Sequence, residues 1–139
     1  MYMYVFVRFA GQMLITPNLH PLFVKFGDRF QLTCQSRAGH KLATLRWSRK
    51  LRCSGRERME ARPITNGSDG FSISNGDRSL TSELIKNEVR WNDEACYICS
   101  STASTASQQY SYNVPVAVVD SQYKFLPRDA AVLTRSWNS

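Results

Sequence analysis

Histidine is almost missing from this chain: 139 residues hold only His20 and His40, and both lie in polar-loop or leader-like stretches. No G-x-S-x-G turn and no phosphate-cradling glycine loop occurs. No nucleophile–base pair is therefore recognisable, and the sequence reads as a non-enzyme that needs no cofactor and no metal. No run of 18 apolar residues is present, so no segment reads as a membrane-spanning helix. Internal repeats are absent as well. Acidic residues are scarce, 11 against 18 Lys and Arg, and the resulting net charge of +7 favours an acidic partner or a polyanionic surface.

The cysteines carry the strongest pattern. Cys34 is followed thirteen residues later by Trp47, and far downstream stands Asp93-Glu94-Ala95-Cys96-Tyr97-Ile98-Cys99. In an immunoglobulin-like β-sandwich, Cys34 and Cys99 staple one sheet to the other. Trp47 packs against the bridge, and Tyr97 closes a corner with its hydroxyl near Asp93. The separation of 65 positions between the two cysteines leaves room for the extra strands of the variable-type Greek-key form. Asp93-Glu94 is a carboxylate pair, but Asp93 occupies the corner position, where hydrogen bonding rather than acid–base work is its role. Four cysteines in a small β-rich chain favour an oxidising compartment, extracellular or at the cell surface.

Alternation places the strands. Leu22 to Val24 forms a short first strand; Phe30, Leu32 and Cys34 alternate with polar residues; Ala43 to Arg49 turns Leu45 and Trp47 inward. Phe71 and Ile73, Leu80 to Ile85, Ala95 to Ser101 and Tyr110 to Val119 supply the rest. Pro115 suits an edge or bulge rather than a central strand. Residues 1–20 read as a leader or loose extension, 21–120 as the domain and 121–139 as a disordered tail. Met1 to Ala10 is apolar and aromatic, but Arg8 interrupts it and no basic stretch precedes it, so it makes a poor signal peptide.

Tyr97 and Cys99 share inward parity, so Cys96 and Ile98 point to the outer sheet face. Cys53 lies near the bottom of the third framework strand, and Cys96 near the bottom of its neighbour. Their levels differ by about three residues, roughly 10 Å of strand rise. A Cys53–Cys96 bridge then requires the hairpin to fold back, and free or intermolecular thiols are the competing outcome. Cys96-Tyr97-Ile98-Cys99 is also a C-x-x-C, but it lacks the βαβ context of a redox motif and a second matching pair for zinc.

Arg46, Arg49, Lys50, Arg52, Arg56, Arg58 and Arg62 crowd the third strand and its hairpin. Arg46, Arg49, Arg52, Arg56 and Arg58 are the candidate partner-binding residues, with Ser101 to Tyr110 as an adaptable loop. Guanidinium forks suit carboxylate, phosphate and sulfate groups, whereas a solvated charged edge guards against aggregation. Without a stacking platform or a groove-reading helix, nucleic acid is not an expected partner. Asn66-Gly67-Ser68 matches the N-glycosylation pattern in a turn-rich stretch.

Residues Val89 to Cys99 resemble the variable-type domain of the OX-two membrane glycoprotein family, which includes leukocyte surface proteins and viral mimics. That family reads D-E-[GAS]-C-Y-x-C here, and Trp47-Ser48-Arg49-Lys50 is similar to its W-Q-K-K run. The resemblance covers about residues 22 to 119. It implies a non-enzymatic ligand that binds an inhibitory immunoglobulin-type receptor through the front sheet, the one bearing Trp47 and Cys99, and its loops. Two departures stand out. The family's additional Cys usually pairs with one on the last strand, and Tyr110 to Val119 has none. Gly70 stands where many variable domains carry the Arg that pairs with the corner Asp. The second functional expectation is a basic adhesion or matrix domain that binds sulfated glycans.

Overall fold

A computed structural model describes residues 13–36, 44–53, 61–76, 81–102 and 109–122. Among these residues nine strands follow in chain order: β1 Met13–Thr16, β2 Leu22–Lys25, β3 Phe30–Ser36, β4 Thr44–Lys50, β5 Arg62–Pro63, β6 Phe71–Asn75, β7 Thr81–Lys86, β8 Ala95–Thr102 and β9 Gln109–Val119. Short 3-10 turns occupy Ser68–Gly70 and Trp91–Asp93. The strands form two sheets, ordered β1-β3-β7-β6 and β2-β9-β8-β4-β5. This is an all-β, immunoglobulin-like sandwich. The larger sheet extends past β4 by β5, on the side where variable-type domains add strands.

Side-chain alternation explains why these segments pair face to face. Along β3, Phe30, Leu32 and Cys34 are buried while Gln31 and Thr33 are only half-buried. On β9, Val114, Val116 and Val118 turn to the same core. Trp47 lies opposite Cys99 in the β4–β8 ladder, and both belong to the central cluster with Leu32, Cys34, Leu84 and Tyr97. The indole N–H of Trp47 crosses to the other sheet and donates to Ser82 Oγ at 3.0 Å. That bond gives its one polar atom a partner in a buried setting.

A disulfide joins Cys34 to Cys99 across the sandwich, with 6.4 Å between their Cα atoms. In the chain-entropy model, a loop of 65 residues closed by a bridge is worth about 4 kcal/mol.

The amino-terminal segment departs from the sequence reading. Met13–Thr16 falls in the stretch read as a leader or loose extension, yet it pairs antiparallel with β3, from Met13 opposite Ser36 to Thr16 opposite Thr33. Met13 and Ile15 are buried in the core. The chain then changes sheets, and β2 pairs parallel with β9, Leu22 opposite Val116 to Lys25 opposite Val119. Pro115 sits one residue before that pairing begins, where β9 has β8 on one side and not yet β2 on the other. Its missing N–H is tolerated there as at a sheet edge.

Candidate recognition surface

The base of the sandwich is organised around Asp93. The 3-10 turn at Trp91–Asp93 brings its carboxylate back to the backbone of Arg90, whose N–H donates to Oδ2 at 2.7 Å. Lys86 Nζ stands 3.1 Å from Oδ1, and Arg49 Nη1 stands 3.6 Å from the same oxygen. Two cations thus compensate one carboxylate that is only 3% exposed, which is the condition for keeping a buried charge. Tyr97 donates its hydroxyl to the Asp93 carbonyl. Burial holds its phenol pKa above the ordinary value, the Asp93 charge adds to this, and Arg49 opposes it. Phe71 packs edge-on against Tyr97, with the Arg49 guanidinium 5.2 Å and the Lys86 ammonium 4.8 Å from its ring centre.

Strand parity sorts the basic residues. Arg46, Ser48 and Lys50 lie opposite Ser100, Ile98 and Cys96 on the outer face of the five-stranded sheet. Arg49 shares the inward parity of Trp47 and turns into the corner, where it also meets Asp69 at 3.4 Å. Of the five arginines expected to bind a partner, Arg46 is exposed on the outer face, Arg49 is engaged in the Asp93 network, and Arg52 is half-buried just past β4. Arg56, Arg58 and most of the Ser101 to Tyr110 loop lie outside the described residues. Lys50, not among the expected residues, shares the outer face with Arg46. Its alternation with Trp47 was the signal.

A second disulfide, Cys53–Cys96, fixes the chain after β4 onto this outer face, with Cα atoms 4.9 Å apart. The three-residue offset between the two cysteines is used up in the reversal. Lys50 already sits opposite Cys96, and Leu51 to Cys53 then leave the strand and turn back over it. Cys96 is 1% exposed yet lies outside the core cluster, as its outward parity requires. Leu51, carried on this reversal, is 60% exposed, and Phe23 of β2 is 49% exposed on the same sheet face.

Beside the reversal, a groove of about 670 Å³ opens between Lys50, Leu51, Arg62, Asn92 and Glu94. Glu94 has a structural duty there: β8 begins only at Ala95, and Glu94 Oε1 accepts the N–H of Val118 at 2.9 Å where a further strand residue would have paired. Burial raises the pKa of its carboxyl and this hydrogen bond lowers it, with burial the larger effect.

Asn66 is exposed at a tight turn near the start of β6. Among the described residues no group of three His, Cys, Asp or Glu side chains is placed to hold a metal ion, and no helix is long and apolar enough to cross a membrane. The two disulfides fit an extracellular or otherwise oxidising compartment. In comparisons with known proteins, the chain matches no family model and no curated relative.

Proposed function

We propose that this domain is a non-enzymatic recognition module, an OX-two-like immunomodulatory ligand presented at the cell surface or secreted. Its receptor-binding surface is the outer face of the five-stranded sheet. The observation that carries this reading is the make-up of that face. Arg46 and Lys50 flank Ile98, and exposed Phe23 and Leu51 add apolar area. The Cys53–Cys96 bridge holds the turn beside them in one position. A rigid face with an apolar component and a basic rim fits a protein partner of immunoglobulin type with acidic groups opposite. Arg49 is left out of the surface because its guanidinium serves the Asp93 corner.

Binding of the full chain to a panel of inhibitory immunoglobulin-type receptor ectodomains tests this reading. Arg46→Glu combined with Lys50→Glu is expected to slow association at low salt and to flatten or invert its salt dependence. A receptor that binds the double variant as it binds the parent overturns the surface assignment.

The groove lined by Lys50 and Arg62, together with the net charge of +7, favours sulfated glycans as a second reading. Glycan binding collapses as ionic strength rises, whereas an interface with an apolar centre persists. Measuring retention on heparin and on receptor across the same salt series separates the two.

A further inference from the structure

On the edge opposite β2, the described residues of the two sheets do not close over the core. Strand β5 is only two residues long, so the flank of β4 faces β6 across a groove of about 410 Å³. Leu45, Pro63, Ile64 and Ile73 give it apolar walls, Arg46 and Asn75 give it polar ends, and Trp47 forms part of its floor. The volume falls in the range of about 300–1,000 Å³ in which small ligands are held, and the mixed lining suits a group with both hydroxyls and C–H faces.

Asn66 is on the rim of this groove. Its Oδ1 accepts the N–H of Ile73 at 3.0 Å, which fixes the plane of the amide beside β6. Nδ2 makes no hydrogen bond among the described residues, and the side chain is exposed. Ser68, two positions on, completes the acceptor triplet. Its hydroxyl is occupied in the folded turn, donating to the Thr65 carbonyl at 2.8 Å and accepting from Thr65 N–H at 3.3 Å. Transfer therefore belongs to the nascent chain, before the turn closes.

We infer that Asn66 carries an N-linked glycan whose first sugars lie along this groove and cover the open edge of the sandwich. The inference goes beyond the receptor reading and does not depend on it. It needs only passage through the secretory compartment, where disulfides also form. In the transfer, Asn66 Nδ2 loses one hydrogen and bonds to the anomeric carbon of the reducing-end N-acetylglucosamine. The donor is an oligosaccharide carried on a polyprenyl diphosphate. The bond between that carbon and the diphosphate oxygen breaks, and the polyprenyl diphosphate leaves with the proton. Once the domain folds, the C–H faces of the sugars pack against Leu45, Pro63 and Ile73.

The test directs the full chain into the secretory pathway of cultured mammalian cells with an added signal sequence. Intact mass is expected to show one N-glycan increment that both Asn66→Asp and Ser68→Ala remove. Peptide N-glycanase converts the glycosylated asparagine to aspartate, so treating folded glycoprotein yields the same polypeptide as Asn66→Asp. Both are expected to melt about 4 °C below the glycosylated form. Both should also exchange the amide hydrogens of Leu45 and Ile73 several-fold faster. Secreted, disulfide-bonded protein with Asn66 unmodified overturns the site. Modified protein whose melting temperature and exchange do not change on enzymatic removal overturns the placement in the groove.

Discussion

Lys86 reaches Asp93, 3.1 Å from nitrogen to oxygen, through space that Gly70 leaves empty. A Cβ built on Gly70 would lie 3.2 Å from Lys86 Cε, and Gly70 itself has φ of +80°. The sequence places glycine where many variable-type domains carry an arginine partner of the corner aspartate. The cation comes instead from the end of β7, and its ammonium also donates to the Asp69 carbonyl. One small residue thus permits the substitution of one cation source for another.

Gly70→Ala is expected to cost about 1–2 kcal/mol, from the left-handed backbone and from displacement of the lysine stem. Lys86→Met removes the same ion pair while keeping most of the stem. The two changes should be less than additive in urea unfolding, because each disrupts the same contact. Full additivity would separate Gly70 from the ion pair.

Tyr97→Phe removes a buried donor and leaves the Asp93 carbonyl without it, for a loss of about 1 kcal/mol or somewhat more. The direction of pH dependence follows from the raised phenol pKa. The folded state favours the neutral form, so this contribution is complete below the ordinary value of 10.0 and is lost as pH rises above it. Parent protein should lose stability above that pH more steeply than Tyr97→Phe. Parallel alkaline melts of the two proteins check this.

Non-reducing peptide maps should show Cys34 linked to Cys99 and Cys53 linked to Cys96. The Cys53–Cys96 bridge closes 43 residues, for an upper value of about 4 kcal/mol in the chain-entropy model. The double variant Cys53→Ser, Cys96→Ser should lower the urea midpoint and still fold around the inter-sheet bridge. Removing Cys34 and Cys99 instead should abolish cooperative unfolding at 37 °C.

Glu94→Gln keeps an oxygen for the Val118 N–H and removes the half-buried charge. Because burial raises the Glu94 pKa, the protonated form is the one the fold favours. Its contribution is present below the unfolded carboxyl pKa and is lost as pH rises through the folded one. The variant should match the parent in mildly acidic buffer and equal or exceed it at pH 7. A melting-temperature series across that interval, with the parent gaining on the variant as pH rises, would contradict this sign.

The sandwich was legible because its signals are local. Alternating Phe30, Leu32 and Cys34, the Trp47 spacing and the Asp93-to-Cys99 run each state an orientation without knowledge of partners. Strand β1 lacked that signal: Met13, Leu14 and Ile15 are apolar in a row beside a leader-like stretch, and only the fold turns Met13 and Ile15 to the core. The surface was less legible. Counting arginines along β4 ignored that Arg49 and Trp47 face the same way, so a corner residue was placed among those of the outer sheet face. Lys86 had no sequence mark at all, because its partner is brought to it by the turn at Trp91–Asp93. The Cys53–Cys96 distance was overestimated because strand rise was extrapolated past Lys50, where the chain has already reversed.

The switch of the amino-terminal segment between sheets sets how the domain bears load. Strand β1 is held by β3 in one sheet, and β2 runs parallel to β9 in the other. Tension applied ahead of Met13 and beyond Val119 draws β2 and β9 in opposite senses along their shared axis. The hydrogen bonds between them, and those between β1 and β3, are then strained together rather than opened one after another. The domain is built to resist being pulled out along its length.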